Sequence, residues 1–188
     1  MVSRAFALFL LVPLAARGAE LEGVRMDEQL RVGSQALQLN GMALRTRVFF
    51  KVYVAGLYLP QKTRDAAQAL RMPGAKRVAL VLLRDVGADI FVSSLVEALK
   101  ENLSDAEQAR LKPQVEELTG LMQKVGEAKK GTVIGLDFAP GAGTSVLVNG
   151  AAQGRPIAGD EFYPALLRIW LGEKPVSDDM KKGLLAGA

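Results

Sequence analysis

Strand-forming and helix-forming residues come in separate blocks along this chain, and that segregation narrows the folds open to it. Val24–Val32, Ala36–Arg45 and Val48–Leu59 are rich in apolar residues, with Gly33-Ser34 and Asn40-Gly41 as turn candidates between them. Val78–Leu83 is a short apolar run flanked by Arg77 and Arg84, the pattern of a central strand buried on both faces. The middle is helical. Asp89–Leu103 places Phe91, Leu95, Ala98, Leu99 and Asn102 on one face. Ser104-Asp105-Ala106-Glu107 is a capping box that starts a second helix. Pro113 predicts a kink or a fresh helix start. Strands return at Thr132–Phe138 and Thr144–Asn149, and Asn149-Gly150 signals a hairpin. Asp160–Leu171 predicts a helix ending at Gly172, and Ser177 caps another. Blocks of strands and helices, rather than strict alternation, predict α+β with an antiparallel sheet.

The N-terminus follows a different rule. Met1–Ala19 runs from Arg4 through the apolar stretch Ala5–Ala16 to small residues at Gly18 and Ala19. That order is a secretory signal peptide, and it divides the chain into a leader over 1–19 and one domain over 20–188. A buried helix and an uncleaved anchor are the other readings of this stretch. The expected location is periplasmic or secreted. No later apolar run is long enough to span a bilayer. Removing the leader takes Arg4 and Arg17, which leaves 22 basic against 20 acidic residues, a net charge of +2. This is too mild a charge to argue for nucleic acid.

The chain has neither His nor Cys. Ser-His-Asp and Cys-His nucleophile systems are therefore excluded, and zinc, copper and haem lose their usual ligands. No metal and no cofactor is expected. The turn Gly141-Ala142-Gly143-Thr144 is followed by a strand, so it reads as a hairpin and not as a phosphate loop.

The stretch Arg45–Tyr53 carries the chemistry that remains. Arg45, Arg47, Phe49, Lys51 and Tyr53 share strand parity, while Phe50, Val52 and Val54 point the other way, toward a core. A face of three cations and two aromatics is either solvated surface or one wall of a groove. In a groove, a guanidinium holds an anionic head, a phenol adds a hydrogen bond and apolar side chains hold the body. Along one straight strand Arg45 and Tyr53 would stand roughly 26 Å apart. They meet only if the chain turns between them or a bulge redirects it.

Two segments together carry a resemblance. Leu39–Leu59 reads LNGMALRTRVFFKVYVAGLYL and Phe162–Ser177 reads FYPALLRIWLGEKPVS. They resemble the chalcone-isomerase superfamily, in particular its small bacterial members. The resemblance implies an open-faced β-sandwich, a large antiparallel sheet with helices on one face. It places the family's catalytic Arg at Arg45 and the site Thr of plant isomerases at Tyr53. In the family's fatty-acid-binding branch that position is Tyr, which holds a carboxylate together with the Arg. The isomerase Tyr, Lys and Asn fall on Phe91, Ser94 and Ala98, and a further Thr falls on Ile169, so those groups are absent.

The expected function is therefore non-catalytic binding of a small amphipathic acid, such as a fatty acid. Arg45 and Tyr53 would take the head, with Phe49, Phe91, Leu95 and Ile169 as the apolar wall. An isomerase or lyase using Arg45 to steady an oxyanion is the alternative, and a scaffold without a ligand is a third. Oligomeric state stays open.

Overall fold

The protein is described by a computed structural model over residues 18–186. The expected leader lies outside the described residues, except for Gly18 and Ala19. Those two residues begin strand β1 (Gly18–Leu21), which pairs with β2 (Val24–Asp27) in a separate two-stranded sheet.

The main sheet has seven strands in chain order, all antiparallel. They are β3 (Gln29–Val32), β4 (Gln35–Arg47), β5 (Phe50–Leu59), β6 (Lys76–Leu82), β7 (Val133–Ala139), β8 (Gly143–Val148) and β9 (Ala151–Ala152). The run Val24–Val32, expected as one strand, is split. β2 leaves the sheet and β3 forms its edge, and between them the Glu28 carbonyl accepts from Leu39 N–H. β6 is central and buried on both faces, as its apolar run predicts. Asn149 and Gly150 both take positive φ, 49° and 82°, so the β8–β9 connection is the turn expected of Asn-Gly.

The helices α1 (Ala66–Arg71), α2 (Ala88–Asn102), α3 (Asp105–Val125), α4 (Phe162–Leu171) and α5 (Asp178–Leu184) all feed one large core on a single face of the sheet. Leu95 and Leu99 of α2, Leu118 of α3 and Leu166 of α4 pack with Leu57, Leu80 and Ile134 of the sheet. The opposite face is covered by the β1–β2 hairpin, where Val24 and Met26 meet Leu37, Leu39, Val54 and Tyr58. Gly56 belongs to this contact: a Cβ there would stand 2.3 Å from the Met26 sulfur. The capping box at Ser104 and Glu107 forms in full. α3 then runs through Pro113 without restarting. Pro113 and Ala109 are both exposed, so water can satisfy the carbonyl that proline leaves unpaired.

Two bulges in the β4–β5 pair decide which side chains meet the helices. Asn40-Gly41, expected as a turn, lies inside β4, where the register shifts between Leu39 and Gly41. Leu37 and Leu39 face the small core, whereas Ala43 joins the large one. The extra residue has inverted the face of the strand. Asn40, fully buried, is held by its own amide. Nδ2 donates to the Thr63 and Leu184 carbonyls at 3.0 and 2.7 Å, and Oδ1 accepts from Thr63 N–H at 2.7 Å. Gly41 fits beneath α5, since a Cβ there would lie 2.3 Å from the Gly183 carbonyl oxygen.

Candidate ligand-binding site

The second bulge builds the site. Arg45 pairs with Tyr53 and Thr46 with Lys51, so Val52 is the extra residue. The strand turns at Val48 and Phe49, between the end of β4 and the start of β5. Arg45 and Tyr53 are therefore direct cross-strand neighbours, not the ends of one straight strand. Opposed residues of an antiparallel pair have Cβ atoms about 5 Å apart. Both conditions set by the sequence, a turn and a bulge, are met.

The parity expected over this stretch changes with them. Val54 does face away, fully buried in the small core. Phe50 and Val52, expected on that same side, instead face the helices and line the cavity there. Turn and bulge together put Arg45, Arg47, Phe50, Val52 and Tyr53 along one wall.

That cavity lies between the sheet and helices α2 and α4 and has a volume of about 620 Å³. Pockets of roughly 300–1,000 Å³ hold drug-sized ligands. Its apolar lining comes from Leu80 and Leu82 of β6, Phe91 and Leu95 of α2, and Ile169 and Trp170 of α4. Of the polar groups in the wall, Arg45, Tyr53 and Trp170 meet at one corner, and Asp85, Glu97, Glu101 and Lys174 also border the cavity. Trp170 Nε1–H donates to the Tyr53 hydroxyl at 3.1 Å. Burial raises the Tyr53 pKa, while the Trp170 bond and the Arg45 charge pull against it, so the phenol stays protonated at neutral pH. With Trp170 as its donor, Tyr53 retains its own proton for donation. Arg45 Nη1 donates to the Val176 carbonyl at 2.8 Å and the Thr46 carbonyl at 3.2 Å. Its Nη2 and Nε have no protein acceptor among the described residues. The corner thus presents a fixed cation and a neutral O–H donor above an apolar space, which suits a carboxylate with a long apolar body.

Of the residues expected in the site, Arg45, Tyr53, Phe91, Leu95 and Ile169 all line this cavity. Phe49 does not. It sits at the hairpin tip, 91% exposed and outside the lining, because the turn it occupies breaks the alternation that would have aimed it inward. Phe91, Ser94, Ala98 and Ile169, where the isomerase groups would fall, are in the wall as well. Only Ser94 of these offers a hydroxyl, and it accepts from Arg47 at 3.4 Å. Trp170 has a part that the sequence does not reveal. It is buried like a core anchor, yet it also orients Tyr53. Arg84 was likewise missed. Its guanidinium lies 4.6 Å from the Phe50 ring centre at the cavity rim. The RTRVFFK alternation around Phe50 hints at such a cluster but holds no turn residue that would locate its tip.

A sequence profile described as chalcone isomerase-like matches residues 18–186. The chain belongs to the chalcone isomerase-like family. The family's fold is seen in the crystal structure of a fatty-acid binding protein of Arabidopsis thaliana, which superposes with a TM-score of 0.69. That match covers 90% of this chain and 96% of the plant protein at 15% identity, a likeness of fold. No curated protein sequence matches this family member.

Proposed function

We propose that this protein is a non-catalytic carrier of a small amphipathic acid, such as a fatty acid, acting outside the cytoplasm. The observation that carries the reading is the cross-strand pair Arg45–Tyr53 at the polar corner of a 620 Å³ apolar cavity. Two guanidinium nitrogens and a phenol proton are left to hold a carboxylate, and Leu80, Leu82, Phe91, Leu95 and Ile169 suit an alkyl chain. The plant protein of the same fold is a fatty-acid binding protein, which favours the same ligand class. Phe91, Ala98 and Ile169 bring no acid or base to the positions where the isomerase groups would fall, and the carboxylates of the wall, Asp85, Glu97 and Glu101, stand elsewhere. The leader expected over 1–19 supports export, and N-terminal sequencing of the mature protein tests it.

Trp170 is the chain's single Trp and lies in the cavity wall, so its fluorescence reports occupancy. Titration with a long-chain fatty acid should change that signal and saturate. Arg45→Met should weaken binding by about tenfold to a hundredfold, the worth of a hydrogen bond to a charged group. Equal affinity in parent and variant removes the assignment, as does turnover of a chalcone.

A further inference from the structure

We propose that the tip of the β4–β5 hairpin and the start of α2 form a docking surface for an anionic lipid bilayer, so that the cavity mouth opens against the membrane. Apolar exposure is concentrated here. Among the described residues five large hydrophobic side chains are exposed, and four of them are Val48 (77%), Phe49 (91%), Phe50 (59%) and Ile90 (59%). Val48, Phe50 and Ile90 also line the cavity, so the exposed patch is continuous with its rim.

The tip holds its apolar side chain at a steric cost. Val48 has φ 57°, a left-handed conformation that a β-branched residue adopts only under constraint. Glycine or asparagine would fit this turn more easily. Val48 and Phe49 instead project into the surroundings, an arrangement that water penalises and lipid does not.

Cations flank the hairpin side of this patch, while the exposed Asp85 and Asp89 stand on its α2 side. The hairpin segment from Arg45 to Lys51 contains three basic residues and no acidic one. Arg84 stacks on Phe50, and Arg47 is bonded to a serine hydroxyl; neither makes a direct ion pair among the described residues, though the Arg84 charge acts on Asp85. Lys51 is the member of the group that is paired, to Glu22. Apolar side chains flanked by arginines match the boundary between acyl chains and anionic head groups. A second copy of the chain on the same patch would bring two arginine-bearing hairpin tips together, which disfavours a symmetric dimer. A carrier whose mouth rests on lipid can pass an amphipathic acid across without exposing its tail to water. That benefit rests on the ligand reading above, whereas the docking surface does not.

The test is co-sedimentation of the full chain with phosphatidylglycerol-containing vesicles and with pure phosphatidylcholine vesicles. Parent and variants are compared side by side, so any contribution of residues 1–17 is common to all. The parent should bind the anionic vesicles more tightly, and added salt should weaken that binding. Phe49→Ser should weaken it tenfold or more, since a phenylalanine leaves the lipid. Arg47→Gln should weaken it on anionic vesicles only. Phe49 is exposed and outside the cavity, so Phe49→Ser should keep the parent's melting temperature and its fatty-acid affinity in vesicle-free solution. Undiminished vesicle binding by Phe49→Ser overturns the proposal. So does a parent that ignores vesicles, or one that dimerises through the tip and becomes monomeric on Phe49→Ser. Loss of fatty-acid affinity in Arg45→Met with docking intact would separate the two readings.

Discussion

At Arg45 the guanidinium gives one nitrogen to the protein and keeps two for something else. The division follows from its neighbours. The carbonyls of Val176 and Thr46 take Nη1 and fix the side chain, which lowers the entropy a ligand would have to remove. Tyr53 is fixed in turn by Trp170, and this makes Tyr53→Phe informative. The variant removes a donor to the ligand and strands the buried indole N–H. Fatty-acid affinity should fall about fivefold, the worth of a neutral hydrogen bond. Stability should fall by about 1–2 kcal/mol, read as a lower urea midpoint. A loss of affinity with unchanged stability would mean that the Trp170 bond has no structural weight.

Bulges and turns, at the scale of elements, choose the face that each residue occupies. Asn40 closes the first bulge with three hydrogen bonds that join β4 to the Thr63 loop and to the end of α5. Asn40→Ala leaves buried backbone groups unpaired and should cost about 3 kcal/mol, measured by denaturant unfolding. The hairpin tip should behave in the opposite way. Val48→Asn puts a residue that tolerates positive φ where valine is strained, and should stabilise by about 1 kcal/mol. For a domain of this size that raises Tm by about 2–4 °C. The same variant should bind anionic vesicles less tightly, because the tip loses an apolar side chain. Gly172 shows a related point at the end of α4. Its φ of −70° is ordinary, so left-handed capping is not what requires glycine there. A Cβ would stand 2.2 Å from the Asn102 side-chain oxygen at the end of α2. The requirement is close approach of the two helix ends that flank the cavity.

The whole molecule is a sheet with its helical layer on one side, and one charge cluster ties that layer together. Arg168 of α4 donates to Glu107 of α3 and, at 3.1 Å, to the Asn102 carbonyl of α2. The Arg168 bond to the carboxylate and the Ser104 cap hold the Glu107 carboxyl down at about 2, from an ordinary value of 4.5. A depressed carboxyl contributes stability that is complete above about pH 4.5 and is lost as pH falls toward 2. The pair is partly exposed, so solvent screening limits the loss to about 1–2 kcal/mol. Glu107→Gln should be less stable than the parent at pH 7 and lose less on acidification, as urea midpoints at pH 7 and pH 3 would show.

Elements governed by local chemistry were legible in the sequence: the α2 stripe, the Ser104 capping box, the Asn149-Gly150 turn and the apolar run of β6. Composition excluded His- and Cys-based chemistry, and the arginine and tyrosine of the site could be named. What the sequence could not provide was their meeting. Side-chain alternation assumes an unbroken strand, and two single-residue insertions plus a turn without glycine reversed it. For that reason Phe49 was expected inside and lies outside, while Phe50 was expected in the core and lines the cavity. Trp170 reaches Tyr53 across 117 residues of chain, and no local pattern encodes that bond. The sequence by itself determined most of the helices and central strands, the family and the types of side chain available. Only the tertiary structure decided which of them share a wall, because a bulge is settled by the partners on either side of the strand.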